Sequence, residues 1–483
     1  MNVMLLAPEL VVLLGSLILF TISLGESKSG QARLATVVIA VLAVLAGMYG
    51  FWMQGELFYA AYRIDLFSQL FKLLIVIGLA LVVLFGQDLK GIDHSIRPEY
   101  YLFLLISTLG LMMLVSSVEL LTLFISLELS SYSLYLLVPL RQETKGIRMQ
   151  MESAVKYVMF GIIAVGIMLF GMSYIFGLTG STYLNVIVPR MNELGAQPIA
   201  MVAIAMFMGG LFFKLGVFPF HFWVPDVYQG ASNETTAFIA SVPKLGAVAI
   251  LIRITTMISA DGQVLVNLMI VLAIASMFYG NLAALVQKDI KRMLGFSGIA
   301  HAGFVMLGLI TLKETGYVNS IYYISGYIMM NLACFLVICK VSSQGENVSI
   351  EDLTGLHKRS PLLALTLLIG MFALAGIPPF VGFVGKFMLL AGVLQEWSLS
   401  VGASKNWYLT LVILAALNTA IAIYYYLSVV RISFCTDTED RPAIRVDGIT
   451  MAVSVLLIIA IIAMGVAPSR VLDFAAIAVR SIL

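Results

Sequence analysis

Charged side chains are scarce in this chain of 483 residues, where Asp, Glu, Lys and Arg together make up only 11%. Soluble globular proteins carry about 25%. Hydrophobic residues make up 61%, and the mean hydropathy is +1.03. This balance excludes a soluble fold. At about 20 apolar residues per spanning helix, the chain is long enough to cross a bilayer about fourteen times.

Cysteine and histidine are also scarce. Three cysteines and four histidines occur, none of them in a CxxC, CxxCH or HExxH spacing. The sequence therefore gives no support to a disulfide framework, an iron–sulfur cluster or a zinc site. A haem held by His221 and His301 across two helices is a weak alternative, and we expect the electron carriers to lie elsewhere.

Charge of one sign does not accumulate anywhere in the chain. Lys and Arg number 28 against 26 Asp and Glu, for a net charge of +2, and no block of like charges occurs. A nucleic-acid partner is thus unsupported. The N-terminal run MNVMLLAPELVVLLGSLILFTIS has no basic start, so it is interpreted as a retained first membrane helix and not as a signal peptide.

Long apolar runs are what the sequence has in abundance. Hydropathy predicts an all-α membrane protein, because a backbone in hydrocarbon must satisfy its own hydrogen bonds. The predicted spans are 4–23, 34–53, 66–87, 100–117, 119–138, 153–178, 198–221, 232–256, 263–286, 290–312, 316–340, 361–396, 406–433 and 448–468.

Basic residues predict the orientation of these spans. Most of the loop Lys and Arg residues, including Arg33, Lys90, Arg141 and Lys288, follow odd-numbered spans. Because basic loops favour the cytoplasmic side, both termini are predicted on the periplasmic, outer side of a cell inner membrane.

No Pro-, Gly- or Ser-rich linker divides the chain, so residues 1–483 are predicted to form one polytopic membrane domain. The runs FFKLGVFPFHFW and AGIPPFVGFVGKF each combine a lysine with a proline break and lie five spans apart. Tandem units with an odd number of spans have opposite orientations. We therefore predict two inverted five-helix repeats, each with a broken helix. The predicted parts are three N-terminal helices (1–99), a first repeat (100–256), an inverted second repeat (263–433) and a C-terminal helix with a tail (448–483).

Lysines inside the predicted spans are functional candidates, because a charge at the bilayer centre costs about 2.5–3.5 kcal/mol or more. Lys214, Lys244 and Lys386 lie far from span ends and near prolines. Lys156 and Lys72 lie closer to span ends, where snorkelling to the interface is an equal or better explanation. For the three deep lysines the alternative is a structural ion pair with a buried acid or interfacial anchoring.

Glu128 is the clearest intramembrane acid, since apolar and hydroxyl residues surround it in LFISLELSSYSLYLL. His221 follows Lys214 by two helical turns, across Pro219, and His301 lies in the middle of a span. A structural, hydrogen-bonded histidine is an equal alternative for His301. The acids near span ends are interpreted as solvated or interfacial: Glu119, Glu152, Asp226, Glu234 and Asp289. For Glu9, in the first span, the functional and the interfacial interpretation both stay open.

Buried lysines and carboxylates share a property that suits proton transfer. Burial drives both towards their neutral forms, while a partner of opposite charge draws them back. A row formed by Glu128, Lys214, Lys244, His301 and Lys386 would pass a proton through intervening waters. The chain has no nucleotide or redox motif, so an ion gradient or a partner protein must supply the energy.

The run FFKLGVFPFHFWVPDVYQGA, followed by SVPKLGA and AGIPPFVGFVGKF, resembles the antiporter-like membrane subunits of respiratory complex I over the whole chain. Lys386 and the lack of residues for a long lateral helix favour the N branch of that family over M and L. The resemblance implies a Glu128–Lys214 pair, a connecting Lys244, and a terminal Lys386. It also implies that His221 and His301 link two half-channels, and it includes Lys156.

The resemblance further implies a function. A subunit of this family is part of a proton-translocating NADH:quinone oxidoreductase, a translocase, and couples electron transfer in other subunits to proton pumping. It binds no cofactor itself, since NADH, FMN, the iron–sulfur clusters and quinone belong to partner subunits. Its expected partners are neighbouring antiporter-like, small membrane and peripheral subunits. A Mrp-type cation/proton antiporter subunit is the alternative, and a transporter of a small solute is a weaker one.

Overall fold

The computed structural model describes residues 3–25, 29–142, 148–195, 197–258, 262–436 and 441–483. Within these ranges, thirteen helices are long and apolar enough to cross a membrane. The only strands there form a two-stranded antiparallel hairpin, β1 (Gly55–Leu57) and β2 (Tyr62–Ile64). The predicted all-α membrane fold is thus confirmed.

The helices up to the middle of the chain are α1 (Ala7–Ser23), α2 (Ser29–Gly50), α3 (Leu66–Phe85), α4 (Arg97–Ser116), α5 (Leu120–Leu137), α6 (Met149–Thr179), α7 (Leu184–Leu194), α8 (Pro198–Leu215), α9 (Trp223–Gly230) and α10 (Asn233–Thr255). The remaining helices are α11 (Gln263–Ala284), α12 (Ile290–Ile310), α13 (Glu314–Val341), α14 (Leu356–Arg359), α15 (Pro361–Ala375), α16 (Val381–Leu399), α17 (Ala403–Cys435), α18 (Gly448–Val466) and α19 (Ser469–Arg480).

The predicted span 361–396 is not one helix but two, α15 and α16, separated by a short break. Helix α15 is shorter than a full span. The number of fourteen spans therefore stays a prediction, although the other predicted spans each coincide with a long helix. The predicted span 198–221 likewise ends early, at Leu215, and the chain turns before α9 begins at Trp223.

The two breaks are built alike. Gly216 (φ 84°) caps helix α8 and Gly376 (φ 85°) caps helix α15, both in the left-handed conformation that glycine adopts without a steric penalty. A cis peptide bond follows in each, at Phe218–Pro219 and Pro378–Pro379. Glycine and proline together thus end each helix inside the bundle.

The centre of the bundle is formed by α10, α12 and α13. The most apolar segments of α10 and α12 are completely enclosed by other helices, whereas α1, α2, α17 and α18 face outwards for most of their surface. The enclosed helices carry Lys244 and His301. Lys244 and His301 are therefore shielded from lipid by the protein itself, as the cost of burying a charge requires.

Two close helix crossings set the spacing around this centre. A Cβ atom on Gly110 of α4 would lie 2.6 Å from the backbone nitrogen of Ser130 in α5. A Cβ atom on Gly280 of α11 would lie 2.6 Å from the backbone nitrogen of Ala300 in α12. Small residues allow membrane helices to approach this closely. Both crossings lie within a turn of a predicted site residue, Glu128 or His301.

Candidate functional site: a buried row of charged and hydroxyl groups

Lys214 is the last but one residue of α8 and is almost fully buried, with 2% of its surface exposed. Its ammonium group donates hydrogen bonds to the hydroxyls of Ser131 (3.0 Å) and Ser130 (3.2 Å) on α5. The Ser130 hydroxyl in turn lies 3.1 Å from that of Ser107 on α4. Hydroxyl groups thus surround the lysine, and each can both donate and accept a proton.

Glu128 lies on the same helix as these serines and is buried, and its Oε1 atom has no hydrogen-bond partner among the described residues. It interacts electrostatically with Lys214. The Lys214 ammonium group nevertheless bonds to Ser131 and Ser130 instead of forming the direct pair that the resemblance implies. The acid and the base therefore interact through their charges and not through a direct hydrogen bond.

The first break presents His221 to the interior. This histidine is fully buried, and neither ring nitrogen has a hydrogen-bond partner among the described residues. Its ring packs against Tyr279 of α11, with the centroids 4.3 Å apart, and stacks on Phe218. A buried imidazole without partners has hydrogen-bonding capacity that water could fill. His221 thus borders the contact between α11 and the first break.

An aromatic cluster packs at the first break. Tyr157 stacks on Trp223 at 4.6 Å, and the Trp223 indole donates a 2.9 Å hydrogen bond to the carbonyl of Phe213. That bond joins the two helices on either side of the first break. Tyr228 is next to Trp223 and is fully buried, with no hydrogen-bond partner for its hydroxyl in the described chain.

Lys244 lies on α10, which continues through Pro243 without interruption. Its ammonium group donates to the carbonyl of Gly298 on α12 (3.1 Å) and to the hydroxyl of Tyr327 on α13 (3.3 Å), and it lies 4.9 Å from the Tyr327 ring centroid. The lysine thus bonds across helices. In α10 itself, the carbonyl of Ala240, within one turn of the proline, accepts from Asn331.

His301 connects three helices. Its Nδ1 atom is 2.7 Å from the hydroxyl of Tyr323 on α13, and its Nε2 atom is 3.0 Å from that of Tyr426 on α17. The Tyr426 hydroxyl also forms a hydrogen bond with Ser297. Both ring nitrogens of His301 are therefore occupied by phenols. The imidazole interacts electrostatically with Lys244 on one side and Lys386 on the other.

Lys386 follows the second break, on α16, whereas Lys214 precedes the first break, on α8. Its ammonium group reaches back to the end of α15 and donates to the carbonyls of Leu374 (3.0 Å) and Ala375 (3.1 Å). These carbonyls lack partners within their helix because helices end with unpaired acceptors. The ammonium group also lies 5.1 Å from the ring centroid of Phe304, one turn after His301.

Lys156 differs from the deep lysines, because 39% of its side chain is exposed. It pairs with Glu152 (2.6 Å) and with Asp226 of α9 (2.8 Å), and Asp226 also pairs with Arg292 of α12 (2.6 Å). Partial burial acts against ionisation of Asp226, but hydrogen bonds from Lys156 and Arg292 and their charges hold its pKa below the usual value. This cluster joins the first break to α6 and α12.

Sequence reasoning missed two buried ion pairs. Lys72, for which snorkelling was the preferred interpretation, is fully buried and lies 2.5 Å from Glu9, which also accepts a 2.6 Å hydrogen bond from Tyr62. Arg253, near the end of the predicted span 232–256, is buried and pairs with Asp65 at 2.8 Å. The positions of Glu9 and Lys72 within predicted spans were the available signal, but their pairing across helices was not predictable. Asp226, interpreted as solvated, is a paired residue.

The described residues contain no group of three or more His, Cys, Asp or Glu side chains that could hold a metal ion. Cys334 and Cys339 are buried free thiols, and Cys435 is an exposed one. The arrangement that the structure does present is a succession of ammonium, hydroxyl, phenol and imidazole groups from α5 to α16. It defines a polytopic membrane protein with two broken helices and an enclosed row of proton donors and acceptors.

Comparison with known proteins assigns this chain to a family. A family model described as NADH:quinone oxidoreductase/Mrp antiporter, TM, matches residues 117–413. The chain is 50% identical over 467 residues to NADH-quinone oxidoreductase subunit N 2 of Opitutus terrae, covering 96% of this chain and 95% of the relative. It is 43% identical to the subunit N 2 of Solidesulfovibrio magneticus, over 99% and 98% of the two chains. The chain belongs to the family of NADH:quinone oxidoreductase and Mrp antiporter membrane subunits.

Solved structures agree with this assignment. A chain of respiratory complex I from Thermus thermophilus with bound aureothin is 29% identical, with a TM-score of 0.80, and the match covers 97% of this chain and 99% of that one. A chain of the Mrp complex from Dietzia is 19% identical, with a TM-score of 0.86 over 99% and 97% of the two chains. The latter likeness shows the fold alone.

Proposed function

We propose that this protein is a proton-translocating membrane subunit of an NADH:quinone oxidoreductase in a bacterial inner membrane. The observation that carries the proposal is the enclosed row of donors and acceptors, which runs through the centre of the bundle from Lys214 to Lys386. A protein whose ionisable groups only joined helices would gain nothing from placing lone ammonium groups beside hydroxyls and carbonyls, because unpaired buried charges are costly. Relatives with up to 50% identity carry the name NADH-quinone oxidoreductase subunit N.

The proposed route begins at Glu128 and Lys214. A change in the charge of Glu128 alters the proton affinity of Lys214, because an opposite charge nearby favours the ammonium form. The two ring nitrogens of His221, which have no partner among the described residues, would exchange protons with water at the first break. Lys156, in the half-exposed ion cluster with Asp226, fits proton entry from the membrane surface.

The second part of the route runs through Lys244, His301 and Lys386. Lys244, on α10, bonds to Gly298 of α12 and to Tyr327 of α13. His301, on α12, bonds to Tyr323 of α13 and interacts electrostatically with both lysines. Charge repulsion between neighbouring ammonium groups means that a proton arriving at Lys244 favours release from Lys386. His301 and its two tyrosine hydroxyls provide the exchange positions between them.

The proposal includes the arrangement of the chain in the membrane. Both termini lie on the periplasmic side, as the basic loops after odd-numbered spans favour. Residues 100–256 and 263–433 are inverted repeats, flanked by 1–99 and 448–483. The matching glycine caps at Gly216 and Gly376 and the matching crossings at Gly110 and Gly280 support the repeats.

The chain binds no redox cofactor in this proposal, and NADH, FMN, iron–sulfur clusters and quinone belong to partner subunits. Neighbouring antiporter-like, small membrane and peripheral subunits of the oxidoreductase are its partners. A Mrp-type cation/proton antiporter subunit shares the fold. The curated relatives with the higher identities favour the oxidoreductase.

The test replaces Lys214 by glutamine in the assembled complex, with Lys288→Gln as the matched control, since Lys288 is exposed on a loop. In proteoliposomes, the K214Q complex should lose most NADH-driven proton uptake and coupled quinone reduction, and K288Q should keep both. Normal pumping by K214Q would overturn the route. Ser131→Ala, which removes one hydroxyl from Lys214, extends the test if K214Q fails to assemble. Turnover that required sodium in place of protons would favour the Mrp alternative.

A further inference from the structure

A polar pocket at the ends of α2, α3 and α4 takes no part in the proton route. Its volume is about 570 Å³, and its lining includes Arg33, Lys90, His94, Arg97 and Tyr101. The only carboxylate in the lining, Asp88, is paired with Lys340 at 3.1 Å. The pocket thus concentrates positive charge at one place on the surface.

Three basic side chains of this pocket donate hydrogen bonds to neutral oxygen acceptors. The Lys90 ammonium group donates to the carbonyl of Ser342 (2.8 Å), Arg97 donates to the carbonyls of Leu89 (3.1 Å) and Ile92, and Arg33 bonds to the amide oxygen of Gln87. Within the described ranges of the chain, no carboxylate pairs with Arg33, Lys90 or Arg97. Their charges are therefore oriented but not neutralised.

Two further observations point to a ligand in the pocket. The amide nitrogen of Gln87 is buried without an acceptor among the described residues, although Gln87 lines the cavity and is only 7% exposed. Helices α2 and α4 both begin at the pocket, and the positive ends of helix dipoles favour anions. An acceptor-rich anion such as a phosphate group would satisfy the amide and the cations together.

An apolar groove continues from the same pocket towards the lipid-facing surface. It has a volume of about 310 Å³ and shares Gly30, Arg33 and Gln87 with the polar pocket. Its remaining lining consists of aliphatic side chains of α2, α3 and α18: Leu34, Val37, Leu84 and Ile449. A free phosphate would make no favourable contact with this apolar groove, whereas an acyl chain would fill it.

We propose that this pocket and groove form a binding site for an anionic phospholipid, with its phosphate among Arg33, Lys90 and Arg97 and an acyl chain along Val37 between α2, α3 and α18. Basic pockets between membrane helices on the cytoplasmic side bind such headgroups through charge. The lipid would join α18, late in the chain, to the N-terminal helices α2 and α3. It would thereby stabilise a part of the bundle whose helices face mostly outwards.

The test measures lipid binding to the complete complex after mild delipidation in detergent. Radiolabelled dioleoylphosphatidylglycerol, dioleoylphosphatidylcholine and inorganic phosphate are titrated separately. The wild-type complex should bind phosphatidylglycerol most tightly. In Arg33→Gln/Arg97→Gln its affinity should fall by about thirtyfold, which corresponds to about fivefold for each basic residue near the membrane surface. The matched control is Lys288→Gln/Arg445→Gln, which removes the same charge from exposed positions outside the pocket.

A second variant tests the groove without changing the charge. Val37→Trp should weaken phosphatidylglycerol binding and leave any phosphate binding unchanged. If phosphate displaced the lipid and V37W had no effect, the pocket would be a site for a free anion and the lipid proposal would be wrong. Equal phosphatidylglycerol binding by the wild type, R33Q/R97Q and V37W would also overturn it. If the double variant does not assemble, R33Q alone and V37W decide the question by the same comparison.

Discussion

The ammonium group of Lys244 donates a hydrogen bond to the backbone carbonyl of Gly298, 3.1 Å away on the neighbouring helix. The absence of a side chain at residue 298 makes this approach feasible, since a Cβ atom there would lie 2.8 Å from the lysine nitrogen and 3.0 Å from the Tyr327 hydroxyl. A glycine in the middle of a membrane helix thus determines where the charge of Lys244 rests. Both α10 and α12 are enclosed at this point, so the lysine has little freedom to move elsewhere.

Gly298→Ala is therefore expected to displace Lys244 without altering any titratable group. Loss of a hydrogen bond to a charged group costs about 1.5–3 kcal/mol. Proton pumping and coupled turnover should fall by about tenfold, the factor equivalent to about 1.4 kcal/mol. Gly166→Ala is the matched control, because a Cβ atom on Gly166 of α6 meets nothing within 4 Å. Equal pumping by the two assembled variants, measured in proteoliposomes, would contradict a positional role for Gly298.

Tyr323→Phe is expected to slow proton transfer at His301, because it removes the 2.7 Å partner of Nδ1 and leaves the ring in place. Loss of one such hydrogen bond costs about 1 kcal/mol, or about fivefold in rate if the bond acts in the transfer step. The measurement is the pH profile of NADH-driven proton uptake, which a merely structural tyrosine would not shift. Tyr424→Phe, on the exposed side of α17, is the control and should leave the profile unchanged.

Asp226→Asn should weaken the joint between the first break and α12. Arg292 loses its carboxylate partner and Lys156 keeps only Glu152, but the groups are partly exposed, so the expected cost is about 1 kcal/mol or less. Because the pKa of Asp226 is lowered in the folded protein, this stabilisation is present at neutral pH and is lost as the pH falls below about 4.

Thermal unfolding of the complex, followed from pH 8 to below pH 4, measures this effect, because the loss begins only near the ordinary pKa of an aspartate. The wild type should exceed D226N at neutral pH, and the difference should shrink at the acidic end and at high salt. Glu193→Gln, at an exposed position, serves as the control. A difference that grew on acidification would show that Asp226 acts in some other way.

The hydropathy pattern and the cost of intramembrane charge were enough to predict the helical membrane fold and the burial of Lys214, Lys244 and Lys386. The prolines indicated that the spans of Lys214 and Lys386 are broken, but the predicted spans 198–221 and 361–396 ran past the ends of α8 and α15. The pattern did not predict that the Lys214 ammonium group bonds to Ser130 and Ser131 and not to Glu128, since this depends on the rotation of α5 against α8. Rotation is determined by close contacts such as that of Gly110 with Ser130, which a linear pattern does not contain.

The pairings of Asp226 with Arg292 and of Asp65 with Arg253 were missed for a related reason. Their partners lie 66 and 188 residues apart in the sequence. A charged side chain near a span end can extend to water or pair with a residue on another helix, and the hydropathy of the sequence does not distinguish these two arrangements. Lys72 illustrates this choice, because it lies two turns into α3 and yet points to Glu9 instead of the membrane surface.

Lys72→Met is expected to destabilise the N-terminal helices, because it leaves the buried carboxylate of Glu9 without its cation. Breaking a buried ion pair by removing one partner costs about 3–5 kcal/mol, whereas replacing both partners is often neutral. The double variant Glu9→Gln/Lys72→Met should therefore recover most of the stability lost by K72M. Thermal unfolding of the purified complex, with Lys288→Met as the exposed control, distinguishes the two variants. If pumping also fell in the stable double variant, Glu9 and Lys72 would belong to the proton route and not only to the structure. If K72M were as stable as the wild type, the 2.5 Å contact between Lys72 and Glu9 would contribute nothing to folding.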